Sequence, residues 1–259
     1  MALLSPSRRL RRTVFSEGVE AAGVKAYTVY NHMLLPTVFR TVQEDYHHLK
    51  SEVQVWDVSV ERQIELKGPD AARLMQMLTP RDLREMYGGQ CYYVPIVDET
   101  GGMLNDPVAV KISDEHWWVS RADSDLLYWI KGIANGWRLD VLVDEPDVSP
   151  LAVQGPKSYD LMNEIIDFNS SSLKNYSFVK VSIGNCSNII MSRTGYTGSG
   201  GFEIYCDNHN ANKIWNLLFK HGAKYNIKPA GLASRDTLRI EMGHCLYGND
   251  INEKTNPVE

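Results

Sequence analysis

Two short segments of this 259-residue chain echo each other: Lys67-Gly-Pro-Asp-Ala-Ala-Arg-Leu-Met75 and Gln154-Gly-Pro-Lys-Ser-Tyr-Asp-Leu-Met162. In each, Gly-Pro is followed by four residues and then Leu-Met, and the copies lie 87 residues apart. Each follows a strand pattern, Ile64 and Leu66 alternating with polar neighbours before the first and Leu151-Ala-Val153 before the second. Proline at a first helical position starts a helix without losing a needed N–H. Strand, Gly-Pro and helix form a frequent corner, so coincidence stays open beside duplication. A duplication predicts two similar α+β lobes facing each other, with a cleft between them.

The rest of the pattern is mixed α and β. Val42, Tyr46, Leu49 and Val53 fall at helical spacing, and Thr41 with Glu44 has capping-box order, which predicts a helix over 38–52. Two strand-like runs, 92–97 and 103–112, flank Asp98-Glu-Thr-Gly-Gly102, a hairpin loop that would bring Tyr92, Tyr93 and Asp106 together. His116-Trp-Trp-Val-Ser120 reads as a further strand, and Asp123 is placed to cap a helix running to Gly136. Strands near 178–181 and 189–192 and helices over 210–221 and 232–242 complete the chain. The domain division this predicts is 1–54 with 140–250 as one discontinuous lobe, 55–139 as the second, and 251–259 as the start of a linker.

A formal charge of -5 argues against a nucleic-acid partner, which would need a basic face. The four cysteines, at 91, 186, 206 and 245, form no C-x-x-C, and no H-E-x-x-H occurs, so no metal is expected and a reduced, cytoplasmic protein fits. No run approaches the roughly 18 apolar residues of a membrane span. Arg8, Arg9, Arg11 and Arg12 are followed by Ser16-Glu-Gly-Val-Glu-Ala-Ala-Gly23, which lacks the apolar core of a targeting signal, so a basic arm packed on the protein is expected.

Candidate chemistry collects in irregular segments. Arg193-Thr-Gly-Tyr-Thr-Gly-Ser-Gly-Gly-Phe-Glu-Ile-Tyr205 carries four glycines into an alternating strand. There Glu203 and Tyr205 share the face opposite Phe202, Ile204 and Cys206. It is no phosphate loop, because it leads into a strand rather than a helix N-terminus. On spacing alone, an ordinary hairpin turn with a solvated Glu203 also accounts for it. Asn105-Asp-Pro107 interrupts an apolar strand, and proline confines such a strand to an edge or bulge. Asp106 is therefore either aimed into a cavity or part of a solvated turn. Arg235 and Arg239, four apart, could hold an anion or pair with Asp236 and Glu241. Of the aromatics Tyr27, Tyr30, Trp56, Tyr92, Tyr93 and Tyr196, which could face a flat heterocycle or a ligand cation, Tyr30, Tyr93 and Tyr196 adjoin irregular segments.

Four ordered motifs carry a resemblance: G-G-x-L-x-D at 101–106, A-V-Q-G-P at 152–156, R-T-G-Y-T-G at 193–198, and L-x-S-R-D-x-L-R-x-E-x-G-x-x-L-Y-G-N-D at 232–250. Together they resemble the glycine-cleavage T-protein, or aminomethyltransferase, superfamily. Longer stretches, among them Thr28-Val-Tyr-Asn-His-Met-Leu-Leu-Pro36, Val55-Trp-Asp-Val58 and Glu145-Pro-Asp-Val-Ser-Pro-Leu-Ala-Val-Gln-Gly-Pro156, are similar to its dimethylsulfoniopropionate demethylase branch. The chain departs from the glycine-cleavage enzymes at Ser199-Gly200 and from the demethylase branch at Tyr196.

The resemblance implies an α+β fold, two related ferredoxin-like, antiparallel-sheet lobes of a three-domain cloverleaf, with the C-terminal β-barrel domain missing. It implies tetrahydrofolate as cofactor, with Glu203, Arg235, Tyr93 and Tyr196 in its site, Asp106 as the catalytic residue beside the transferred carbon, and Tyr30 toward the substrate. The activity implied is methyl transfer from dimethylsulfoniopropionate or a related methylated cation to tetrahydrofolate. Aminomethyl transfer from a lipoyl carrier protein and folate binding without turnover are the alternatives. The partner implied is a small-molecule methyl donor, with a lipoyl carrier protein only under the aminomethyl alternative; a homodimer stays open, and charge and hydropathy point to neither nucleic acid nor membrane.

Overall fold

Strand pairing shows how far the Gly-Pro echo extends. The structure, a computed structural model, describes residues 9–259, so Arg8 of the expected basic arm lies outside the described residues. The chain begins with α1 (Ser16–Ala21), the hairpin β1 (Ala26–Tyr30) and β2 (Met33–Val38), then α2 (Val42–Ser51) and β3 (Gln54–Asp57). It continues through β4 (Gln63–Lys67), α3 (Ala71–Leu78), β5 (Gln90–Tyr93), β6 (Ile96–Val97), β7 (Met103–Asn105), β8 (Val108–Ser113), β9 (His116–Ser120), α4 (Leu126–Gly136) and β10 (Leu142–Asp144). Then follow β11 (Val148–Gln154), α5 (Ser158–Ile165), β12 (Phe178–Ile183), β13 (Cys186–Ser192), β14 (Gly201–Asp207), α6 (Ala211–Gly222), β15 (Lys228–Pro229) and α7 (Leu232–Glu241).

One sheet has the order β5-β8-β9-β4-β10, the other β12-β13-β14-β11-β3-β15. Taken in chain order, β4, β5, β8, β9 and β10 hold the same relative positions as β11, β12, β13, β14 and β15, with β3 inserted before the last. The corners match as well. Gly68 and Gly155 have φ of 146° and 110°, and a Cβ on them would meet the carbonyl oxygens of Asp140 and Glu52 at 2.5 and 2.2 Å. Ala71 N and Ser158 N each donate back to the corner glycine's carbonyl at 3.0 Å. The prolines precede the N-caps Asp70 and Lys157 instead of taking the first helical position, because this turn stands between Gly-Pro and the helix.

The helices cover the outer faces of the two sheets. In α3, Ala71, Leu74, Met75 and Leu78 form an i, i+3, i+4, i+7 stripe buried with Ile64, Leu66, Trp117 and Ile130. Each large side chain so buried contributes about 1.5–3 kcal/mol. Phe202, Ile204 and Cys206 meet Leu161 and Met162 of α5 and Ile214 and Leu218 of α6 in the other core. The inner faces meet through Cys91, Val110 and Trp118 on one sheet and Val148, Ile190 and Tyr205 on the other. The result is helix, sheet, sheet and helix in four layers.

Several expectations need correction. β3 belongs to the six-stranded sheet and β10 to the five-stranded one, so the boundaries at 54/55 and 139/140 detach strands from their partners. Segment 251–259 packs on the second lobe, where Met103 N donates to Thr255 O at 2.9 Å. The helix expected over 38–52, α2, starts at Val42, not Val38, because Thr41 is extended and caps it, Glu44 N donating to Thr41 Oγ1 at 3.1 Å. Asp123 does not cap α4. It accepts from Asn31 N at 2.7 Å, tying the tip of the β1–β2 hairpin to the second lobe.

Candidate active site

The glycine-rich loop is held from behind by the A-V-Q-G-P segment. Gln154, 2% exposed, donates to Thr194 O and Phe202 O, both at 3.2 Å, and accepts from Thr197 Oγ1 at 3.1 Å. A Cβ on Gly195 would lie 2.2 Å from Gln154 Oε1, so any larger residue there would have to displace the clamping side chain. So clamped, the loop feeds β14, where Glu203 points to the inner face, paired with Ala152 and Ser192 on either side. The expectation of a solvated hairpin Glu fails, because the inner face is covered by the other sheet and leaves Glu203 7% exposed. Thr194 Oγ1 donates to Glu203 Oε2, as does Tyr205 OH at 3.4 Å. Both donors address Oε2, so Oε1 is the oxygen that remains for a ligand. Burial, and then the charge of Glu61, raises the Glu203 carboxyl above the usual range.

Asp106 stands where Pro107 separates β7 from β8. Asn105 is turned inward and holds the next loop, donating to Ser124 Oγ at 2.7 Å and accepting from Ala122 N at 3.0 Å. Its neighbour Asp106 faces a cavity, where Tyr93 OH donates to Oδ2 at 3.1 Å. Burial raises the Asp106 carboxyl from 3.8 to about 7, against the opposing Tyr93 hydrogen bond. A carboxyl raised in the fold contributes stability fully below the unfolded value of 3.8 and loses that contribution as pH climbs through about 7. Asp106→Asn is therefore expected to gain stability over the parent between about pH 4 and 7 and hold that gain above it. Urea midpoints at pH 4, 6 and 8 measure this, and a pH-independent difference would contradict it.

Arg235, in the first turn of α7, reaches Glu61 Oε1 through Nη1 at 2.6 Å, and its guanidinium lies 4.9 Å from the Tyr196 ring centre. The His244 ring stacks on Tyr196 at 5.6 Å and 15°, and Tyr196 OH donates to Cys245 O. Arg239 does not join Arg235 as an anion clasp, because it is taken by Asp236 at 2.7 Å, Asp250 and His244 O. Glu241, expected beside these arginines, bonds Tyr46 and Lys50.

Tyr30, Tyr93, Asp106, Tyr196, Glu203 and Arg235 all line one cavity of about 420 Å³ between the lobes. Tyr27, Trp56 and Tyr92 do not. Glu61, Tyr176, Thr194 and His244 join the lining without having been singled out from sequence. Thr194 lies inside the R-T-G-Y-T-G motif and was open to notice. Glu61 follows a strand with no periodic signal, and Tyr176 is marked only by its left-handed φ of 54°. Among the described residues no cluster of His, Cys, Asp and Glu could hold a metal ion.

Residues 15–259 match the GCVT N-terminal domain family. The chain belongs to this family. It is 50% identical over 260 aligned positions to dimethylsulfoniopropionate demethylase DmdA of Ruegeria pomeroyi, covering 100% of this chain and 71% of that one. It is 36% identical to an aminomethyltransferase of Flavobacterium psychrophilum, covering 96% of this chain and 70% of that one. The glycine cleavage system aminomethyltransferase T of Bartonella henselae has a similar structure, with a TM-score of 0.85 at 25% identity over 96% of this chain and 67% of that one. The α+β two-lobed fold and the GCVT resemblance are thus established.

Proposed function

We propose that this chain is a tetrahydrofolate-dependent methyltransferase that demethylates dimethylsulfoniopropionate or a related methylated cation. The observation that carries the reading is a cavity walled by tyrosines, in which Glu61, Asp106 and Glu203 share the lining with a single guanidinium, Arg235. A reduced pterin fits these residues. It presents adjacent N–H donors along one edge, which Glu203 can accept as charge-assisted bonds, while the Tyr93 ring and the edge of Tyr196 flank it. Bound tetrahydrofolate would supply a nucleophilic nitrogen as the methyl acceptor, and a sulfonium donor would leave as a neutral thioether.

Such a leaving group needs no general acid, so orientation carries most of the catalysis. Asp106, poised near neutrality and held by Tyr93, can take up a proton and, when ionised, balances the sulfonium charge. Tyr196 is less suited to face the sulfonium, because Arg235 and His244 already lie against its ring. Tyr30 provides that face instead.

The same poised Asp106 favours a second reading, aminomethyl transfer from a lipoyl carrier protein, in which proton transfer is required. Incubation with tetrahydrofolate and dimethylsulfoniopropionate is expected to yield 5-methyltetrahydrofolate and methylmercaptopropionate in equal amounts. Folded, folate-bound protein that yields neither overturns the methyl reading. A requirement for aminomethylated carrier supports the second, and folate binding without either activity supports a non-catalytic paralogue. Asp106→Asn separates the two enzymatic readings, costing much with the carrier and little with the sulfonium.

A further inference from the structure

Glu61 is the one carboxylate in the cavity lining that meets a buried cation directly. It sits in the crossover between β3 and β4, its backbone fixed by a bond from its N–H to Val58 O at 2.9 Å and from Gln63 Nε2 to its carbonyl at 3.0 Å. Its side chain, 18% exposed, contacts Arg235, 10% exposed, at 2.6 Å. Arg235 in turn lies over Tyr196 and shares the lining with Tyr30, Asp106 and Glu203. A donor cation entering this space meets Arg235 with its charge cancelled by Glu61. Without Glu61 the guanidinium would confront the cation across a low-dielectric cavity, where like charges repel strongly.

We propose that Glu61 is a specificity-determining residue that sets the preference for a positively charged methyl donor by cancelling the charge of Arg235 inside the cavity. The inference rests on the methyl-donor reading above.

The test compares binding of dimethylsulfoniopropionate with that of 3-methylthiopropionate, which keeps the carboxylate and lacks the sulfonium charge. Isothermal calorimetry on the full chain is expected to show that Glu61→Gln lowers the preference for the sulfonium by about tenfold. Glu61→Asp should retain most of it. The double variant Glu61→Gln/Arg235→Gln, neutral at both positions, should return the preference toward that of the parent, and it serves equally if the single Gln variant does not fold. A melting temperature that falls while the preference stays unchanged would make Glu61 a structural counterion only and overturn the proposal. Failure of the double variant to recover would do the same. If the parent protein itself shows no preference for the sulfonium, the donor reading falls, and the role of Glu61 with it.

Discussion

Glu203→Ala is expected to weaken tetrahydrofolate binding roughly 10- to 150-fold, the equivalent of about 1.5–3 kcal/mol for hydrogen bonds to a charged acceptor. Three features set the size of this effect. Glu203 is buried on the inner face of β14, so its bonds to a ligand form away from bulk water. Its Oε2 is already engaged by Thr194 and Tyr205, which fixes the orientation of the carboxyl before a ligand arrives. Pterin donors gain little from any other carboxylate, since Asp106 is bonded to Tyr93 and Glu61 to Arg235. The variant should stay folded, because it removes a group that burial penalises and Thr194 keeps its contact with Ser192 at 2.5 Å. Titration by calorimetry, with circular dichroism as the folding control, decides it. Unchanged affinity in a folded variant would take Glu203 out of the folate site.

Gly155→Ala should lower folding stability by about 3 kcal/mol or more, and Gly68→Ala by a similar amount. Two costs add at Gly155. Its φ of 110° lies in a region that is nearly glycine-only, worth about 1–3 kcal/mol for another residue. The new methyl would also sit 2.2 Å from Glu52 O, a backbone atom that cannot swing aside. Gly89 separates the two costs, because its φ is 97° yet a Cβ there meets nothing within 4 Å. Gly89→Ala should therefore show the conformational cost alone, about 1–3 kcal/mol. Urea midpoints at unchanged slope measure all three. Equal losses at 155 and 89 would show that the corner relaxes around the methyl.

The local pattern was a good guide wherever one segment sufficed. The capping box at Thr41 and Glu44, the alternation in β14 and the paired Gly-Pro corners all formed, because each depends on residues within a few positions of one another. Even the two lobes were legible, since the corner that marks each begins an equivalent run of strands and helices. Membership of β3 and β10 was not, because each strand pairs with a partner far along the chain: β3 with β11, β10 with β4.

The site divides the same way. Asp106 and Glu203 stand out by breaking apolar or glycine-rich patterns, and Tyr30, Tyr93 and Tyr196 by adjoining them. Helical spacing places Arg235 and Arg239 on one face, yet Arg235 turns to Glu61 and the cavity while Arg239 is consumed by Asp236 and Asp250. No local rule distinguishes them. The sequence settled the corners and the strand alternation, because these follow from backbone sterics over short distances, while its one-carbon chemistry was legible only through the family resemblance of its four motifs. Only the tertiary structure decided which charges are buried together. Burial and charge coupling depend on what the opposite sheet brings into contact, and that is where Glu61 and the raised carboxyls of Asp106 and Glu203 acquire their meaning.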